Sequence, residues 1–227
     1  MIHCAIYKVY GQNYIRKNHL SFDPIQPLFG TLQFQYERPI LNKISVSLTA
    51  GYKFSSGLLN IADISFQRFE TDEFNFEGIK LIPEIRWYTQ KSHIGLTGFF
   101  VGAYFRYQNR IGDIEGDYTS LSNEVSRILI EANLNTSNIG IEIGYKLEIK
   151  NGFFIDFIIA GPGISFNNLE LIEIEPVPDA FYDDINETLR DIGIIDLLDS
   201  DFRINGNQKT SIPTLAFRYG IKLGYAF

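Results

Sequence analysis

The chain has one cysteine in 227 residues, Cys4, so an intrachain disulfide and a cysteine-rich metal site are both excluded. Its context is not that of a lipoprotein cleavage site. Histidine is scarce too, with His3, His19 and His93 the whole supply. That limits the general bases open to an enzyme. No G-x-S-x-G turn occurs. Gly161-Pro162-Gly163 is not followed by a lysine-bearing helix, so it is a strand-end kink and not a phosphate loop. Positive charge is outweighed, 27 acids against 20 bases, and the net charge of -7 argues against a nucleic-acid partner. Long apolar runs are missing as well. No stretch approaches the eighteen residues of a membrane helix. This last absence does not exclude a membrane, because a barrel strand crosses with about ten residues, half of them polar.

What the chain has in abundance is period-two alternation and aromatics, with 19 Phe and 13 Tyr. In 44–54, Ile44, Val46, Leu48, Ala50, Tyr52 and Phe54 share one face, and Ser45, Ser47, Thr49, Gly51 and Lys53 the other. The same reading gives strands over 28–37, 79–88, 99–108, 139–150, 153–160 and 212–227. The last ends Tyr225-Ala226-Phe227, bulky groups on one side and Gly220, Lys222 and Gly224 on the other. A weaker strand lies near 15–24, before Pro24 and Pro27 break the chain. Eight strands suit the even count of single-chain barrels.

The connections alternate in length. Arg38–Lys43, 89–97 and the Asn151-Gly152 hairpin are short or moderate. Segments 55–77, 110–137 and 167–210 read as long insertions on the opposite rim. Aromatics collect at strand ends: Tyr36, Trp87, Phe99, Phe153, Tyr225 and Phe227 on the short-turn side, and Tyr52, Phe54, Phe76, Tyr107 and Phe166 on the other. The expectation is an eight-stranded antiparallel up-and-down transmembrane β-barrel with short helices in its external loops. It has short periplasmic turns, both termini periplasmic, and aromatic girdles at headgroup depth. A soluble barrel with the faces inverted stays open, since alternation alone does not say which face is wet. Residues 1–11 stand apart from the barrel domain, 12–227. They read either as the tail of a secretory signal, ending Val9-Tyr10-Gly11, or as a short disordered or strand-forming terminus.

The stretch from Leu20 to Arg38, closing on Tyr36-Glu37-Arg38 and followed by Ile44–Phe54, resembles the opening of small Bacteroidetes-type outer-membrane β-barrels. Pro83–Tyr88 and Gly98–Tyr104 resemble the central hairpin of the same group. The resemblance covers about 18–166 and the last strand. It implies an architecture of the OmpA, OmpX and OmpW type, porin-like in outline, and a place in the bacterial outer membrane. The group is largely of unknown function, and the resemblance carries no catalytic residue and no cofactor.

The candidate site residues are therefore structural. Glu84, Arg86, Arg106, Glu142, Lys146, Arg218 and Lys222 fall on the lumen side, with Glu37, Lys53, Lys80, Glu148 and Asp156. An eight-stranded barrel is just wide enough for side chains to fill it, so these charges are expected to pair as a plug. A gated ion path is the competing reading. Tyr225 and Phe227 are the expected C-terminal signal for the barrel-assembly machinery. Acids crowd 167–208, eleven against Arg190 and Arg203. Within it Phe181, Ile185, Leu189, Ile192 and Leu197 predict an amphipathic helix inside 179–199. Leu121, Val125, Ile128, Leu129 and Ala132 predict a second helix, N-capped by Ser120 or Ser122. These helices would cap the mouth or dock a partner. Calcium on the acidic loop has no EF-hand spacing behind it. The function expected is non-catalytic: a structural or interaction barrel, with a subunit role in an envelope assembly as its form. It would sit among membrane lipid and lipopolysaccharide, with an envelope partner on loops 110–137 and 167–210. A narrow OmpW-like conduit for small molecules is the alternative, and a lipid-modifying enzyme ranks last.

Overall fold

The computed structural model describes residues 16–54, 68–191 and 205–227. Its strands are β1 (His19–Phe22), β2 (Thr31–Pro39), β3 (Ile44–Lys53), β4 (Phe69–Ser92), β5 (Gly95–Thr119), β6 (Val125–Glu148), β7 (Phe153–Glu173) and β8 (Lys209–Ala226). A short 3-10 turn, Gln26–Phe29, separates β1 from β2, and one α-helix, α1 (Asp179–Asp191), lies between β7 and β8. Each strand pairs antiparallel with the next, and β8 returns to β1, so the sheet is a closed ring in chain order. Among the described residues no helix is long and apolar enough to cross a membrane.

The alternation explains the ring. On β5, Phe99, Val101 and Phe105 point outward and are exposed, while Phe100, Gly102 and Tyr104 are buried inside. On β2, Leu32, Phe34 and Tyr36 are outside, and Thr31, Gln33, Gln35 and Glu37 are buried. The Asn151-Gly152 hairpin has φ of 56° and 97°, the two left-handed residues that a tight turn matched to strand twist requires. Inward glycines make room for inward rings on the neighbouring strand. Gly144 faces Phe100, Gly140 faces Tyr104, and Gly224 faces Phe154. A Cβ at Gly224 would stand 2.2 Å from the Phe154 ring. Rings laid over glycines cover exposed backbone and fill the lumen together.

Both described chain ends lie at the short-turn rim. Asn18 and Phe227 exchange backbone hydrogen bonds, and Arg16 donates from Nη1 to the carbonyls of Asn151 and Ala226. The first strand begins at His19, inside the predicted 15–24. The connection read as a moderate turn at 89–97 is much tighter, because β4 runs to Ser92 and β5 starts at Gly95.

The larger corrections are at the other rim. The segment 110–137 is not a loop: β5 continues to Thr119, β6 starts at Val125, and only Ser120–Glu124 turns. The helix predicted over 121–132 is absent, since Ile128 pairs with Gly116 and Ala132 with Gly112. Likewise β7 reaches Glu173 and β4 begins at Phe69, so 55–77 and 167–210 are shortened at their ends. The four central strands thus rise beyond β1–β3 as a standing sheet. The predicted acidic helix is present as Asp179–Asp191, while Ile192 and Leu197 lie outside the described residues, as do residues 1–11 and 55–67. Phe76 leaves the aromatic rim, because it shares the inward register of Gly78 and Lys80.

Candidate functional site: a charge-filled lumen and an external apolar core

The inner face of the ring changes character along its length. In the lower part, toward the short turns, charged groups gather inside among buried rings such as Tyr88, Phe100 and Phe154. Arg86 on β4 is fully buried and is the hub. Its guanidinium meets Glu84 at 2.6 Å, Asp156 at 2.6 Å, Glu142 at 3.0 Å and Glu37 at 3.6 Å. Arg218 from β8 bridges Glu142 at 2.8 Å and Glu84 at 2.5 Å. Lys146 from β6 holds Glu37, and Lys222 donates to Gln35 at 2.9 Å with Glu84 at 3.9 Å. Four acids (Glu37, Glu84, Glu142, Asp156) thus face four bases (Arg86, Lys146, Arg218, Lys222), and the cluster is neutral. Buried charges persist only when paired and hydrogen-bonded, and this set meets that condition nearly in full.

Eight of the twelve lumen-side charges read from the sequence therefore sit in one network, six of them among the seven candidate site residues. Arg106 does not join it; its Nε donates to Asn138 Oδ1 at 2.6 Å, higher in the ring. Sequence reasoning passed over the neutral partners. Ser45 and Tyr88 donate to Glu37, while Ser47 and Gln35 donate to Glu84. His19 Nε2 contacts the Ile94 carbonyl, and its Nδ1 lies 3.1 Å from Lys146. All of them occupy inward register positions, which is the signal that would have found them. Phe100 stacks under Arg86 at 4.4 Å, and Tyr104 under Arg218 at 5.1 Å, so rings close the remaining faces of the cations. Tyr225 and Phe227 lie outside the lumen, both exposed. The Tyr225 ring packs on Phe153 at 5.1 Å.

In the upper part, the same inward register of the same strands turns apolar. Phe69, Tyr118, Ile128, Ile130, Ala132 and Leu171 form one buried cluster, and α1 closes it with Phe181 and Tyr182. The Phe181 ring lies 5.1 Å from Phe69 and 5.6 Å from Tyr118. Polar bonds lock the helix down. Tyr118 donates to Asp184 at 2.7 Å, Arg68 pairs with Asp184 at 2.9 Å, and Tyr182 donates to Glu173 at 2.9 Å. Burial and the Asp184 carboxylate push the Tyr118 hydroxyl up to about 12. The outer face switches in the opposite sense. Above Tyr107 it carries Asn109, Asn133 and Asn135, hydrogen-bonded in a ladder, then Asp113, Glu115, Asp117 and Arg127.

Chemically, the lumen network stores charge that is neutral in sum and paired, with Asp156 Oδ1 left without a hydrogen-bond partner among the described residues. Among the described residues no group of three or more His, Cys, Asp or Glu side chains is placed to hold a metal. No family model, curated protein or solved structure matches the chain.

Proposed function

We propose that the chain is an integral outer-membrane β-barrel of the Bacteroidetes type, inserted with its short turns and both termini on the periplasmic side. Its role is non-catalytic. The ring anchors the protein, and the standing sheet with α1 forms an external platform for an envelope partner. The observation that carries this reading is the reversal of both faces at one level. Below Tyr107 the outer wall shows Leu, Ile, Val, Phe and Trp around the ring, most near half exposed, over a charged interior. A water-facing wall of that kind far exceeds the apolar patch a soluble monomer tolerates. From Phe99 to Tyr107 the outward band spans ~27 Å of strand at ~3.4 Å per residue, hence about 20 Å along the normal at a ~40° tilt. That approaches the apolar height of an outer-membrane barrel, ~25 Å. Above it, an apolar cluster turns inward and most charges turn outward, with Ile111 and Ile172 still among the exposed outer groups.

The neutral plug favours anchoring over the conduit reading. Its members reach across the lumen from β2, β4, β6, β7 and β8 and are paired there with one another. Two measurements test the proposal. Carbonate-washed membranes should retain the chain, and it should float with liposomes; material dispersed in plain buffer defeats the membrane reading. Photo-crosslinkers at Asp117 and Glu131 on the external sheet should capture an envelope polypeptide that one at Ile85 on the wall does not. A clean monomer from every position defeats the interaction role.

A further inference from the structure

Between the neutral plug and the external apolar core lies a short stretch of lumen with different chemistry. Lys53 and Arg110 flank Gly78 on one rung of the ring, and Lys80 and Gln108 share the next. Lys53, Lys80 and Arg110 line one cleft together. Arg106 stands one turn of the alternation below, against Asn138. Among the described residues none of these four cations has an ion pair. Lys80 donates only to the neutral oxygens of Gln26 and Gln33, and Lys53 to the carbonyls of Phe29 and Phe54. Asp23, at the turn beside Gln26, is occupied by the amides of Ile25 and Gln26 and by Gln33 Nε2. In a chain of net charge -7, four inward cations against one committed acid form a local excess with no structural counterweight. Two buried groups at the floor of this stretch lack partners as well. Asn138 Nδ2 and Thr49 Oγ1 have no hydrogen bond, in residues only 1% exposed. Donors left unmet where cations gather fit a ligand that brings oxygen acceptors and negative charge.

Among the described residues, the wall beside this stretch is incomplete. β1 is four residues long and pairs with β8 only over 223–226. Between 209 and 222, β8 has one strand neighbour among the described residues, β7. Across the gap, Thr31–Gln33 of β2 pair only with β3. The turn after β1 stands at this seam, with Asp23 approaching Gly220. Outward side chains along the seam are far barer than elsewhere on the ring. Leu215 is 90% exposed and Tyr219 78%, against 38% to 50% for most of the wall. Ile25 and Leu28 of the turn add further exposed apolar surface. In hydrocarbon an unpaired strand edge is costly, so a seam at this depth needs either an added strand or access to a polar interior. The basic stretch of lumen, whose cations stand on β3, β4 and β5, faces the same interior and supplies the second.

We infer that the chamber binds the oxyanion head of an amphiphile, phosphate or carboxylate, whose alkyl chain leaves through the β8–β1 seam along Leu215, Phe217 and Tyr219. The inference rests on the membrane reading above and extends it from an anchor to a receptor for an anionic lipid or fatty acid. Lys80, Arg110 and Arg106 hold the head, the Asn138 amide donates to it, and the neutral plug below blocks its passage onward.

The test uses the full chain in dodecyl maltoside. It is titrated with dodecyl phosphate, dodecanoate, dodecanol and inorganic phosphate, and bound adducts are counted by native mass spectrometry. Dodecyl phosphate or dodecanoate should bind at one per chain, at least tenfold tighter than either dodecanol or inorganic phosphate. Equal binding of dodecanol means that the chain recognises only the tail, and overturns the proposal. Equal binding of inorganic phosphate means a free-anion site without the seam, and also overturns it. The double variant Lys80→Gln/Arg110→Gln should weaken the amphiphile about tenfold or more, the scale of one lost charge-assisted bond. The control Lys150→Gln, at the far hairpin, should leave binding unchanged. The wild-type selectivity decides the matter even if the double variant does not fold. A polypeptide cross-linked in equal amount through Tyr219, with no amphiphile bound, shows that a strand fills the seam and overturns the proposal. A chain that floats with liposomes yet binds no dodecyl phosphate or dodecanoate defeats the chamber and leaves the anchor standing. One that does not float removes both.

Discussion

Replacing Arg86 by methionine tests the plug at its hub. Arg86 is the one base within 4 Å of all four acids of the cluster. Methionine keeps an unbranched apolar stem on the Phe100 ring, which lies 4.4 Å from the guanidinium, so the loss falls on charge more than on packing. Four carboxylates would then face three bases in a space closed to water. Breaking a buried pair in this way costs roughly 3–5 kcal/mol. With an m-value of about 3 kcal/mol per molar urea, the unfolding midpoint in lipid vesicles should fall by about 1 M or more. The second substitution is Asp156→Asn. Asp156 Oδ2 bonds Arg86, and its Oδ1 has no partner, so this acid depends on Arg86 more than the others do. Arg86→Met with Asp156→Asn leaves three acids and three bases, and should regain at least about 1 kcal/mol over the sum of the single changes, as directly coupled sites do. The readout is the urea midpoint of the gel-mobility difference between folded and unfolded barrel. A loss under about 1 kcal/mol in Arg86→Met, or strict additivity in the double variant, refutes the claim that charge balance holds the lumen together.

Two further outcomes follow from the packing. Gly224→Leu would drive a side chain into the Phe154 ring, where even a Cβ comes within 2.2 Å. It should cost about 1–3 kcal/mol by overpacking, and Phe154→Ala in the same chain should recover part of it. The docking of α1 should also weaken in alkali. The Tyr118 hydroxyl is neutral while it donates to Asp184, and its folded value of about 12 lies above the usual 10. A raised value means that its contribution is complete below pH about 10 and is lost as the pH climbs through about 12. Protease cleavage within α1 should therefore accelerate across that window, with tyrosinate absorbance rising in step. Tyr118→Phe should abolish this step, and an unchanged profile would count against the contact.

The ring was legible because one face of each short strand is uniformly bulky. Ile44, Val46 and Leu48 against Ser45, Ser47 and Thr49 admit no other period. Register then placed the charges inside, since Glu84, Arg86, Glu142 and Lys146 share parity with buried neighbours. It did not say which charges touch. Arg106 has the same parity, but its rung offers Asn138 where lower rungs offer acids. The standing sheet was misread for a specific reason. On β6 the apolar positions are even at Ile128, Ile130 and Ala132, and odd at Ile139, Ile141 and Ile143. The strand is continuous across the change, with Asn133, Asn135, Thr136 and Ser137 between. A search for one unbroken alternation sees a polar gap there. The isolated group Leu121, Val125, Ile128, Leu129 and Ala132 then passes for a helical stripe. The seam beside β8 left no trace in local pattern, because it depends on where β1 stops, four residues after it starts.

On the membrane reading proposed above, that parity change marks a boundary between two solvents and is not an irregularity of one strand. A β-strand cannot turn over without a bulge, and β6 pairs with β5 without interruption from Gly98↔Lys146 to Thr119↔Val125. The backbone therefore does not rotate; what changes is which face must avoid water. On β7 the chain does carry a bulge between Ile158 and Gly161, and the inward positions pass from Phe154 and Asp156 to Ser165 and Leu171. There parity and environment change at different heights, so the apolar groups on the strand follow no single rule of spacing. Both strands nonetheless reach the same end, an apolar core under α1 above and a paired charge cluster below. One sheet that obeys both conditions at a common level is what the proposed membrane reading expects, and a single aqueous surround is the alternative to weigh it against. Under that alternative the lower wall would leave Leu48, Ile85, Val101 and Ile141 in water for no gain, while Arg86 and Glu142 were buried at a cost.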